Sequence, residues 1–216
     1  MNRTLRFVLL SYTKVGESSL VLHTLSEDYG RRGFITGLPK GSGMAMFLPM
    51  NILEGVVVEN RKSDLWRLKD IVSCAPLASV RSDVRKNSMT LFMSEVLFRT
   101  VREGACEEGL ASWCERSLLT LDALEDDFSN FHLVWLLELC GALGFSPAAE
   151  NLAPFAGMEL KQFSSIIGRP LSEALMVPLK GEQRSRMASG ILDYLSSHSE
   201  MPLNIKSLKV LSELYR

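Results

Sequence analysis

The chain has no two cysteines closer than eight residues, no P-loop or dinucleotide-binding glycine motif, and no HExxH or GxSxG signature. These absences exclude zinc knuckles and CxxC redox pairs, and they leave no nucleotide hydrolysis, metalloprotease or serine-hydrolase chemistry to assign. The longest greasy segment, Phe131 to Phe145, is interrupted by His132 and Glu138 and falls short of a bilayer span. The apolar run in the opening MNRTLRFVLLSY is too short for a secretory signal, so a cytoplasmic chain with reduced thiols is expected at Cys74, Cys106, Cys114 and Cys140. Strong charge of either sign is also missing. The net charge is -1, so any polyanionic partner must be held by a local patch and not by a global field.

What is present is an ordinary globular composition, 46% apolar and 23% charged over 216 residues, enough for one large or two small domains. Charge is unevenly spread. Residues 1–80 hold 10 Lys/Arg against 7 Asp/Glu, and the remainder holds 14 against 18.

Residues 1–80 read as strands. Short runs at Leu5–Thr13, Leu20–Leu25, Gly33–Leu38, Ile52–Val58 and Leu65–Ser73 are rich in Val, Ile, Leu, Phe and Thr and are separated by Gly-, Asp- and Asn-bearing turns. Five short strands in so few residues predict a small closed barrel of the OB type, since closure removes exposed edges. The pattern alone also admits an SH3-like barrel. After Pro76 the apolar period lengthens to that of a helix: Met89, Phe92, Met93, Val96, Leu97 and Val101 share a face, and further helices are expected over Leu110–Leu124, from a Ser129 cap to Gly144, over Glu182–Ser197 and over Asn204–Tyr215. Residues 148–181, punctuated by Pro154, Gly157, Gly168, Pro170 and Pro178, are expected to be irregular. The fold class is thus α+β, a five-stranded OB-fold barrel at 1–80 followed by a helical domain at 81–216.

No nucleophile–base pair can be named, so no enzyme is expected. The three histidines, His23, His132 and His198, lie apart from one another and from any cysteine. The cations of the first 80 residues carry more. Lys14, Arg31, Arg32, Lys40, Arg61 and Lys62 fall in turns or at strand ends, and Tyr12, Tyr29, Phe34, Phe47 and Trp66 interleave with them. In a small barrel such positions can converge on a groove that follows a phosphate backbone while exposed rings stack on bases. Solvated turns and core aromatics, with Phe34 and Trp66 in the core, are the plainer reading.

YTKVGESSLVLHTLSEDYGRRGFITGLPKG, NILEGVVVENRKSDLWRLKDIVSCAP, DVRKNSMTLFMSEVLFRTVREG, NFHLVWLLELCGALGFSP and the closing NIKSLKVLSELYR occur in this order. Together they resemble the RecO family of bacterial recombination mediators nearly end to end. The resemblance implies an OB fold joined to a helical domain, no enzymatic activity, binding of single- and double-stranded DNA, and annealing of complementary strands. It also implies partnership with RecR and with the acidic, Phe-ending tail of single-stranded DNA-binding protein (SSB), and assistance to RecA on SSB-coated strands. Family DNA contacts carry over to Arg31, Arg32 and Lys40, and with less weight to Lys14, Arg61 and Lys62. A cation that many relatives place before the loop lysine is replaced here by Pro39. The four-cysteine zinc motif of many relatives is missing from AAENLAPFAGMELKQFSS, so no zinc and no other cofactor is expected. For the acidic tail, the helical part offers Arg99, Arg102, Lys180, Arg184, Arg186, Lys206 and Lys209 as rim cations. The competing reading is an OB-type module that docks proteins and has no nucleic-acid role.

Overall fold

The computed structural model describes residues 2–39, 41–60, 62–199 and 202–215. Five strands close into a barrel: β1 (Asn2–Val15), β2 (Ser19–Ser26), β3 (Gly30–Gly37), β4 (Ile52–Val58) and β5 (Trp66–Ser73), in the spatial order β1-β2-β3-β5-β4. β1 is long enough to serve two neighbours. Asn2 to Val8 pair with β4, and Val8 to Val15 pair with β2. Closure is completed by a parallel seam of two residue pairs, Phe34 with Trp66 and Ile35 with Arg67. Alternation does the rest: Leu5, Phe7, Leu9, Leu20, Leu22, Phe34, Leu53, Val57 and Leu68 point inward, and Phe47 from a 3-10 turn (Gly41–Phe47) joins them. Phe34 is core, as the sequence suggests. Trp66 is half-buried at the edge of this cluster.

The helices are α1 (Ala78–Ser82), α2 (Val84–Thr100), α3 (Leu110–Ala123), α4 (Phe131–Ala142), α5 (Ala149–Ala156), α6 (Leu160–Ile166), α7 (Leu171–Leu175), α8 (Gly181–His198) and α9 (Ser207–Leu214). Two compact units emerge, and they interleave along the chain. One comprises 1–78 with 97–118, the other 79–96 with 119–216.

In the first unit, residues 98–112 are stitched to the barrel. The backbone of Arg31 exchanges bonds with this segment, Arg31 N donating to Ala105 O at 3.1 Å and Gly104 N to Arg31 O at 2.8 Å. Gly30, at φ 58°, is required here, because a Cβ would stand 1.8 Å from the Ala105 oxygen. Glu27, in the turn before β3, accepts from the backbone N–H of Gly109 (3.1 Å) and Ser112 (2.6 Å) at the start of α3. Burial raises the Glu27 carboxyl, but these bonds outweigh it and hold its pKa below the ordinary range. Arg6 of β1 adds an ion pair to Glu115 at 2.9 Å.

The second unit is built around α4, which is buried on most sides and carries Leu133, Trp135, Leu136, Leu139 and Cys140. Lys86 is an unusual member of this core, 1% exposed, its ammonium donating to Ser79 Oγ at 2.6 Å and to the carbonyls of Asp122 and Leu124 at the end of α3. It acts as a C-terminal cap delivered from a neighbouring helix.

Two sequence expectations need correction. Residues 148–181 are not irregular: α5, α6 and α7 occupy most of them, burying Leu152, Ala156, Phe163, Ile166, Ala174 and Leu175. Short amphipathic turns between Gly and Pro satisfy the helical period over too few residues to stand out in the sequence. Their order comes from packing and two buried polar devices. Asn130 donates to the carbonyls of Ala174, Leu175 and Val177, and Glu159, 3% exposed, receives Arg186 of α8 at 2.6 and 2.8 Å. The second correction concerns Ser129, which lies inside a 3-10 turn (Phe128–Asn130); Asn130 takes the N-cap position of α4.

Candidate nucleic-acid interface

The barrel sorts the expected DNA-contacting cations into three places. Lys14 is exposed near the β1–β2 hairpin, paired with Leu20 at the start of β2. Arg31 and Arg32 lie against Leu25 and Thr24 toward the end of β2, and Lys62 is exposed in the loop that leads to β5 on the same side. Lys40 and Arg61 fall outside the described residues.

Consecutive residues of a strand face opposite ways, and the two arginines obey this. Arg31 turns outward and is taken up by its own unit: its guanidinium lies 4.3 Å from the Phe98 ring centroid and donates to Val101 O at 3.1 Å. Burial lowers its pKa, against the opposing pull of Glu103. His23, edge-on to Phe98 at 5.1 Å, is lowered by burial and then by Arg31. The outward face of β2 and β3 is therefore partly covered by residues 98–105.

Arg32 turns the other way, to the mouth of the barrel. Its guanidinium lies 3.8 Å from the Trp66 ring centroid and donates to the Asp64 carbonyl at 3.0 Å, with Tyr29 5.7 Å away. A concave pocket of about 570 Å³ opens there, lined by Tyr29, Arg32, Gly33, Asp64, Leu65 and Glu103, among others. Arg3 pairs with Asp28 at its edge. Of the five aromatic candidates, Phe34 and Phe47 are buried, Tyr12 is exposed on the hairpin, and only Tyr29 and Trp66 stand at this mouth. Sequence reasoning missed Arg67 and Lys69, which are exposed on β5 around the buried Leu68. The alternation R-L-K was the available signal.

The cations proposed to meet a protein partner separate by unit. Arg99 and Arg102 belong to the barrel's unit and are exposed. In the helical unit, Arg184 donates to Leu179 O (2.6 Å) and Tyr215 O (2.9 Å), and Arg186 serves Glu159. Lys206 and Lys209 are exposed at the start of α9, whose backbone N–H groups at 206 and 207 bond Glu95. Lys180 and Arg186 line a second cavity of about 780 Å³ with Ser185 and Ser212.

The comparisons with known proteins now bear on this geometry. Residues 81–153 match the family described as Recombination protein O C terminal. The DNA repair protein RecO of Phocaeicola vulgatus is 26% identical, and those of Bacteroides fragilis and Flavobacterium psychrophilum are each 28% identical; every one of these alignments covers 96% of this chain and 97% of the relative. The chain is thus similar, over nearly its whole length, to proteins named DNA repair protein RecO. The described residues contain no group of three or more His, Cys, Asp or Glu placed to hold a metal ion. Cys114 and Cys140 are buried thiols with raised pKa, Cys140 pushed up to about 12 by burial, while Cys106 is exposed beside the mouth. Among the described residues no helix is long and apolar enough to cross a membrane.

Proposed function

We propose that the protein is a DNA repair factor that works by binding and not by catalysis. Its barrel takes single- and double-stranded DNA and anneals complementary strands. Together with RecR and the SSB tail it helps RecA onto SSB-coated single strands. The observation that carries this reading is the alignment, over nearly the whole of both chains, with proteins named DNA repair protein RecO. The barrel supplies the physical means. Arg32 on Trp66, the nearby Lys62 and the exposed Arg67 and Lys69 give positive groups beside an aromatic platform, the combination that holds single strands. Arg31 contributes through the fold, since its guanidinium is committed to Phe98 and Val101.

A fluorescent oligonucleotide titrated at several salt concentrations tests the proposal. Affinity is expected to fall steeply with salt, and the Arg32→Glu, Lys62→Glu variant to bind at least about tenfold more weakly with a shallower salt slope. Arg31→Ala is expected to lower the melting temperature more than it lowers DNA affinity. The covering of the outward β2–β3 face favours the other reading, a barrel for protein docking alone. That reading predicts no oligonucleotide binding even at low salt.

A further inference from the structure

The chemistry of the mouth pocket does not suit a phosphate. The residues lining it include three acidic ones, Asp28, Asp64 and Glu103, and one arginine, Arg32. Asp28 is offset by Arg3 and Glu103 acts on the Arg31 guanidinium, while among the described residues the Asp64 carboxylate makes no side-chain hydrogen bond or ion pair. Glu103 stands close to the barrel, its Oε1 3.4 Å from where a Cβ on Gly33 would lie. A phosphate would meet like charge here, so the backbone of a bound strand is directed to Lys62, Arg67 and Lys69 instead. The pocket offers a flat cation, an aromatic side chain and oxygen acceptors. One face of the Arg32 guanidinium is closed by Trp66, which leaves the other as a stacking surface, with Tyr29 beside it.

Resting on the nucleic-acid reading above, we propose that this pocket accepts one unstacked nucleobase from a single strand and selects guanine. Guanine stacks on Arg32 and presents adjacent N1–H and N2–H₂ donors on its Watson–Crick edge, which a carboxylate of Asp64 or Glu103 accepts as a pair. Thymine offers one N–H flanked by two carbonyl oxygens, and those oxygens meet the carboxylates unfavourably. The size, a few hundred cubic ångströms, is that of a small-molecule site. A basic side chain of a protein partner would also meet carboxylates here, but it would meet the fixed charge of Arg32 as well.

The test uses the full chain and thymine oligonucleotides carrying, at one central position, guanine, inosine or thymine. Inosine is guanine without the N2 amine. The guanine oligomer is expected to bind about tenfold tighter than the thymine one, with inosine between them, a difference of the size one paired base contact provides. Quenching of the tryptophan emission on addition of deoxyguanosine monophosphate, and not of thymidine monophosphate, is expected alongside, and is lost in Trp66→Phe. In the Asp64→Asn, Glu103→Gln variant, whose fold is checked by circular dichroism, all three oligomers bind alike and somewhat more tightly. Equal binding of the three by the unaltered chain overturns guanine selection while leaving the DNA reading intact. Failure to bind any of them at low salt overturns both, and a Lys/Arg peptide that binds and is lost in the same variant then identifies a cationic protein segment as the occupant.

Discussion

Arg31 and Arg32 are chemically identical neighbours, and the pleat of β3 alone gives them different work. One side chain is consumed in holding residues 98–105, the other faces open space over Trp66. Surroundings govern His132 as strongly. It is buried in α4, with the Phe92 ring 6.3 Å and the Tyr215 ring 6.2 Å away, and burial, reinforced by Arg184, pushes its pKa down to about 3. The native ring stays neutral where the unfolded chain, with an ordinary histidine pKa near 6.5, takes up a proton. Stability from this group is therefore complete above pH 6.5 and drains away as pH falls from there toward 3. Urea unfolding at pH 5 is expected to give about 2 kcal/mol less stability than at pH 7. His132→Phe should remove most of that difference; an unchanged pH dependence would count against the assignment.

At the scale of elements, the barrel was legible and the seams between elements were not. The five strands declare themselves because a period of two with Val, Ile and Phe enrichment fits a half-buried surface. The long helices declare themselves equally, α4 by its apolar content and α8 by its length between Gly181 and Pro202. Residues 148–181 hid three helices because each is only five to eight residues long and takes its order from Asn130 and Arg186, far away in sequence. The capping of α3 by Glu27 was equally invisible, for a cap from 82 residues upstream leaves no local signature. Glu27→Ala is expected to cost about 1 kcal/mol at neutral pH. Because the folded carboxyl is held low, its contribution is present above the ordinary carboxylate range and lost as pH falls through it. Thermal melts of the two proteins should thus differ at pH 7 and converge near pH 3.

For the whole molecule, the uneven charge of the two parts was countable in advance, and the make-up of the mouth was partly so. Arg32 and Lys62 were in the candidate set; the carboxylates of Asp64 and Glu103 were not, because acidic residues in turns read as solvated until a fold brings them to one cavity. Nor does a helical period reveal which neighbour a segment will join. Residues 97–118 belong to the barrel's compact unit, supplying Phe98, Val101, Ala105 and Glu115. A fragment of residues 1–80 is therefore expected to lack the cooperative unfolding of the full chain and to expose Val21, His23 and Arg31, measured as a broadened denaturation curve and increased binding of a hydrophobic dye. A sharp, full-stability transition for that fragment would show that the segment is dispensable.

The two residue pairs that join β3 to β5 set where this barrel breathes. Every other neighbouring pair of strands is laced over a longer ladder, so thermal opening begins at this parallel join, whose first rung is Trp66 itself. A ring seated on Arg32 would rivet the slit shut, making strand capture and barrel stiffening one and the same event, readable as slowed deuterium uptake at Phe34 and Ile35.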